Sequence, residues 1–162
     1  MKKSLFIFLF SVLSLGTNAQ VNYYKGEWTV VDKKEFFTCI ARINAKEGVA
    51  SGELVWTYWS TDSSSEPMKE MYKGKKGKKA IEFLEGTYEP GSRDLALEGI
   101  SKQDPDSIIG MDKYTLKISA NGQVIFGKTD NNGDGKGMFL ALKLNPIAGE
   151  KEFKAAKAGV KK

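Results

Sequence analysis

The chain has 162 residues, 25 Lys and Arg against 20 Asp and Glu, a formal net charge of +5, no His and a single Cys. Without His there is no Ser-His-Asp triad, no haem ligation through His and no zinc site of the common kinds. One Cys excludes a disulfide within the chain. Neither a metal nor a cofactor is expected.

Met1-Lys2-Lys3 gives a short positive start, and Ser4 to Leu15 is almost wholly apolar. Thr17 and Ala19 stand at −3 and −1 of a cleavage before Gln20. A charged start, a short apolar stretch and small residues at the cut form a secretory signal over residues 1–19. The apolar run is shorter than the ~20 residues of a membrane span. The protein is therefore expected to be exported, periplasmic or secreted, with no membrane span after cleavage. No Cys follows the apolar stretch, so no lipid anchor is expected there. Residues 20–149 read as one domain, and 150–162 as a basic, solvated tail with five Lys and two Glu. The domain itself is balanced in charge, which argues against nucleic acid as a partner, since that needs a basic face on the fold.

Strand signals dominate the rest. Glu27 to Val31 is the first, and Phe36 to Ile43 the second, with Phe37, Cys39, Ala41 and Ile43 on one face. Asn44 to Gly48 turns into a third strand, Val49 to Trp59. Ala80 to Tyr88 and Asp94 to Ile100 flank the turn Glu89-Pro90-Gly91-Ser92. Lys113 to Ser119 alternates, and Asn121-Gly122 is a strong hairpin signal because both residues tolerate positive φ. Gln123 to Lys128 and Gly137 to Leu144 complete eight strands. Two connections are longer: the polar Ser60 to Lys79, and Ser101 to Asp112, with room for one helical turn near Ser107 to Ile109. No segment carries a long amphipathic helix pattern.

Sequential hairpins imply an antiparallel meander, and eight meandering strands tend to close, because closure removes exposed edges. The expected fold is all-β: an eight-stranded antiparallel meander closing into a barrel, with a two-sheet sandwich as the alternative. Eight strands enclose an interior that is either filled by side chains or holds one small ligand.

Candidate chemistry is sparse. Trp56 and Tyr58 share a face of the third strand with Leu54, and Trp59 takes the other. Leu54, Trp56 and Tyr58 are the candidate ligand-binding residues, an aromatic cavity wall; ordinary core packing is the competing reading. Asp130, Asn132 and Asp134 occupy positions 1, 3 and 5 of a calcium-like loop, but Ala141 stands where position 12 needs a bidentate Glu, so a hairpin turn is the better reading. Lys73, Lys75, Lys76, Lys78 and Lys79 form a basic run without phosphate-loop spacing, read as a solvated loop or a rim over a barrel mouth. Glu82, Glu85, Glu89, Asp94 and Glu98 cluster around one hairpin, and alternation sends most of them to water. Cys39, in an apolar setting, reads as a buried inert thiol.

Gly26-Glu27-Trp28 at the first strand, followed by an eight-stranded meander, resembles the calycin superfamily of lipocalin- and avidin-like barrels. Gly26-Glu27-Trp28-Thr29 and Gly52-Glu53-Leu54 look most like avidin-type first strands. The resemblance implies that Trp28 closes one end of the barrel under a basic side chain late in the last strand, here Lys143. It does not extend to biotin contacts, since Leu54 falls where an avidin-like Tyr would stand.

The expected function is a non-catalytic barrel that binds a small apolar or aromatic molecule outside the cytoplasm. The alternative is a protein-interaction or inhibitor module of the cell envelope acting through its loops. An enzyme is least favoured, and a compact cluster of buried carboxylates in a cleft would revive it.

Overall fold

The structure is a computed structural model that describes residues 21–30, 35–61, 66–131 and 135–160. The expected signal segment lies outside them. Eight strands follow in order: β1 Val21–Val30, β2 Glu35–Lys46, β3 Val49–Thr61, β4 Lys79–Glu89, β5 Asp94–Gln103, β6 Lys113–Ile118, β7 Val124–Asn131 and β8 Gly135–Lys143. Each pairs antiparallel with the next, and β8 pairs back to β1, so the sheet closes into a barrel. The sandwich alternative is thereby excluded.

Period-2 alternation fills the interior. Phe37, Cys39, Ala41 and Ile43 of β2 point inward, as do Leu54, Trp56 and Tyr58 of β3 and Leu95 and Leu97 of β5. Trp59 is half exposed on the outside, where its indole N–H donates to Thr38 Oγ1 at 2.7 Å. At one end the barrel is solid. Tyr24, Ile43, Leu54, Leu84, Leu116 and Ile125 converge around a residual void of about 10 Å³, at the limit of what one water needs.

Two helices differ from the sequence expectation. The stretch read as a solvated tail forms α2, Pro146–Ala158. Asn145 caps it by accepting from the Ile147 N–H, and Pro146 takes the first turn, where its missing N–H costs nothing. Phe153 is buried against Val55 and Ile81 on the outside of the barrel, with Tyr23 at 6.0 Å between ring centroids. Glu53 ties the helix down by accepting from Lys157, and it also pairs with Arg42 at 2.7 Å. The second helix, α1, spans Glu66–Tyr72 in the β3–β4 connection.

The helical turn expected near Ser107 to Ile109 is absent. The Asp104 carboxylate instead accepts from the N–H groups of Ile108 and Ile109, at 2.8 and 3.0 Å, and folds the chain into an irregular loop. That loop drives Ile108 into the barrel core. Among the described residues, no helix is long and apolar enough to cross a membrane.

Candidate functional site

The β2–β3, β4–β5 and β6–β7 turns lie at the solid end of the barrel. The long connections, β3–β4 with α1 and β5–β6, lie at the other, which is where binding residues tend to gather on a rigid scaffold. Here Trp28, Phe37, Trp56, Tyr72, Glu82, Ile108, Ile109, Gly110, Asp112 and Tyr114 enclose a pocket of about 50 Å³. Five strands (β1, β2, β3, β4 and β6), α1 and the β5–β6 loop frame it.

The aromatic rings support one another. Phe37 meets Trp28 edge-on at 5.4 Å and Trp56 at 6.3 Å, and Trp56 in turn meets Phe139 at 6.1 Å. Tyr72 reaches in from α1 and stacks on Tyr58 at 4.7 Å with the rings 14° apart. Such offset and edge-to-face pairs hold ring positions beyond what area burial alone would do. Lys75 and Lys78 of the basic run join the two long connections at the rim. Lys75 sits 5.6 Å from the Tyr72 ring centre and donates to the Ser107 carbonyl, and Lys78 pairs with Asp106. The rim reading of this run therefore holds for those two lysines.

The polar part of the pocket centres on Glu82, which is 1% exposed. Most of the hairpin carboxylates face water as expected, Glu85, Glu89, Asp94 and Glu98 among them, and Glu82 is the exception, on the inner face of β4. Its Oε2 accepts from Trp56 Nε1 at 3.0 Å and from the Tyr114 hydroxyl at 2.5 Å, while Oε1 accepts from the Asp112 backbone N–H at 3.1 Å. Gly99 makes the room, since a Cβ there would lie 2.4 Å from Glu82 Oε1 and 3.0 Å from Met111 Cβ. Burial pushes the Glu82 carboxyl up to about 7, the three hydrogen bonds offset this in part, and the neighbouring Asp112 charge adds to it.

Asp112 is the second acid. Burial raises it to about 6, with a hydrogen bond to Thr129 opposing and the Asp130 charge reinforcing the shift. Thr129 is itself buried and accepts from Trp28 Nε1 at 2.6 Å. Gly137 leaves space for that indole, because a Cβ there would fall 2.1 Å from Trp28 Nε1. Both indole N–H groups of the pocket thus end in the acidic network: Trp56 directly on Glu82, Trp28 through Thr129 towards Asp112.

Of the candidate ligand-binding residues, only Trp56 lines this pocket. Tyr58 supports it from behind by stacking on Tyr72, and Leu54 lies in the solid half. The family resemblance implied that Trp28 closes one end of the barrel; instead it lines the pocket at the open end. Lys143 does not cover it: in the β1–β8 register Trp28 pairs with Phe139 and Lys143 with Tyr24, four residues and about 13 Å along the strand. The Asp130 to Gly135 stretch forms a hairpin, with Asn131 opposite Gly135, and its central residues lie outside those described. Among the described residues no group of three or more potential ligating side chains could hold a metal. Cys39 is buried beside the network, and burial raises its thiol far from reactive ionisation.

Two carboxyls titrating near neutrality in one pocket have the acidity that proton transfer requires. The space beside them is small, however, about a third of the 150 Å³ cavity that takes up benzene in an engineered protein. Glu82 also holds three donors of its own chain. Comparison with family models, with curated proteins and with solved structures finds no match for this chain.

Proposed function

We propose that this chain is an exported, non-catalytic barrel of calycin type that binds a small molecule at the open end. One observation carries the reading: the interior is solid at one end and opens at the other into a preformed pocket of about 50 Å³ walled by Trp28, Phe37, Trp56 and Tyr72. Flat apolar walls with a few fixed polar groups are the usual make-up of a small-molecule site. The volume admits one end of a ligand with an apolar body, the remainder lying between Tyr72 and Ile109 at the mouth. The site sits in a domain carrying an N-terminal secretory pattern, so the ligand is met in the periplasm or outside the cell.

Native mass spectrometry of protein purified from its own cell envelope tests this, set against the same sample denatured. A reproducible extra mass that leaves on denaturation supports the reading. A bare polypeptide at every ionisation setting, with no gain of mass from envelope extract, counts against it.

A second reading, a protein-interaction module, is favoured by a stripe on the outer face of β7 and β8. Phe126, Met138, Leu140 and Leu142 are each at least 44% exposed there, and Phe126 pairs directly with Leu140. Contiguous exposed apolar side chains mark interaction surfaces more often than isolated ones do. On that reading Leu140→Lys abolishes association with a partner and leaves the pocket untouched; unaltered association removes the stripe from consideration.

A further inference from the structure

Resting on the small-molecule reading of the open-end pocket, we infer that its ligand carries a protonated amine, seated among Trp28, Phe37, Trp56 and Tyr72 with its N–H groups on Asp112 and Glu82.

The pocket combines two features that favour a cation. The first is its walls: five aromatic residues, Tyr114 being the fifth, surround about 50 Å³, and ring faces attract ammonium groups within about 6 Å. The chain's own Lys75 illustrates this at the rim, with its ammonium 5.6 Å from the Tyr72 centroid. The second is uncompensated acidity. Among the described residues no salt bridge reaches Glu82 or Asp112. The charges acting on the pair are acidic as well: Asp112 on Glu82, and Asp130 on Asp112. Buried charge is expensive unless it is paired.

The surrounding groups leave that role open. From β2 comes the Cys39 thiol, and from β6 the Tyr114 phenol, both held neutral by burial. From β7 come Thr129 and the Asp130 charge. The nearby cations are engaged elsewhere: Lys75 on Ser107, Lys78 on Asp106, and Lys102 on Asp104 and the Ile109 carbonyl. Each ionised carboxylate offers about four acceptor sites. Glu82 uses three, and the Asp112 carboxylate is bonded to Thr129. A primary ammonium has three donors to place, and Asp112, which lines the pocket, has acceptor sites to offer beyond its bond to Thr129. The volume fits a –CH2–NH3⁺ head, with a hydrocarbon chain leaving past Ile108 and Ile109.

The probes are n-butylamine, its neutral isostere n-butanol, and butyrate, titrated into the mature protein at pH 7.5. Binding is followed by the indole N–H resonances of Trp28 and Trp56, and proton release by the pH of a weakly buffered sample. The inference expects saturable shifts of both indoles with butylamine, at least tenfold tighter than with butanol, and protons released as the ammonium fixes the carboxyls in their charged forms. Asp112→Asn weakens butylamine at least tenfold and leaves butanol unchanged. Where that variant does not fold, the amine-to-alcohol ratio and the proton release in the unaltered protein decide the matter. Equal affinity for butanol and butylamine overturns the amine inference and leaves the small-molecule site standing. Indole resonances unmoved by all three probes overturn both.

Discussion

Glu82→Gln separates the carboxyl's charge from its shape. In the unfolded chain Glu82 ionises near 4.5, and in the folded protein near 7. The folded state therefore holds its proton more tightly. Stability from this group is complete below pH 4.5 and is lost as the pH rises through 7. A difference of this size corresponds to roughly 3 kcal/mol over the whole range, at about 1.4 kcal/mol per pH unit. Gln retains an oxygen that accepts from Trp56 and Tyr114, but its amide N–H2 then meets the Asp112 backbone N–H that Oε1 accepts in the unaltered protein. That mismatch costs about 1 kcal/mol at every pH. The unaltered protein is thus more stable by about 1 kcal/mol at pH 4.5, and the Gln variant more stable by about 2 kcal/mol near pH 9, with the two curves crossing between. Urea unfolding at half-unit pH steps measures this directly. Parallel stability curves from pH 4.5 to 9 would refute the reasoning, because they would mean that Glu82 titrates alike in the folded and unfolded chains.

Three further substitutions test the frame of the site. Gly99→Ala drives a Cβ against Glu82 Oε1 and Met111, and should lower stability by about 1–3 kcal/mol in urea unfolding while disturbing the Trp56 indole resonance. Phe153→Ala removes the buried anchor of α2, and should cost about 3 kcal/mol, with faster amide exchange in residues 146–158 than in the strands. Trp56→Phe deletes one of the three donors to Glu82. It should cost about 1–3 kcal/mol and move the midpoint of the stability–pH curve upward from 7, because fewer hydrogen bonds then favour the charged form.

The barrel was legible in the sequence because its alternation is nearly unbroken. Tyr114, Leu116 and Ile118 in β6, and the pattern Phe37-Cys39-Ala41-Ile43 in β2, mark one face each, and tight turns leave little choice but neighbouring antiparallel strands. The inward orientation of Leu54, Trp56 and Tyr58 follows from the same period. Glu82 was illegible for a specific reason. In β4 the residues Ile81 and Phe83 are as apolar as Ala80 and Leu84, so alternation does not say which face points inward, and a lone carboxylate in the run reads as solvated. Both faces of that strand are covered, one by the barrel interior and one by α2. The uninterrupted apolar run Leu54-Val55-Trp56 in the neighbouring strand is the signal that the outer face is also buried there.

The helix that covers it is weakly written. Phe153 is its main apolar anchor, with Ala156 and the following Val160 as lesser contacts among lysines, and Ile147 is exposed. Its stripe is too thin for periodicity to detect, while the Asn145-Pro146 start is a readable N-terminal signal. Asp112 lies just before β6, and its place in the pocket depends on how Asp104 folds the preceding loop, a side-chain-to-backbone contact that residue spacing does not encode.

The central claim is that a small ligand occupies the open end of the barrel, and a crystal structure of protein purified from its own cell envelope tests it most directly. The account predicts continuous non-protein density between the rings of Trp28, Phe37 and Trp56, in contact with the Asp112 carboxylate. A pocket holding only water, in a preparation whose native mass shows a retained small molecule elsewhere on the protein, would contradict it.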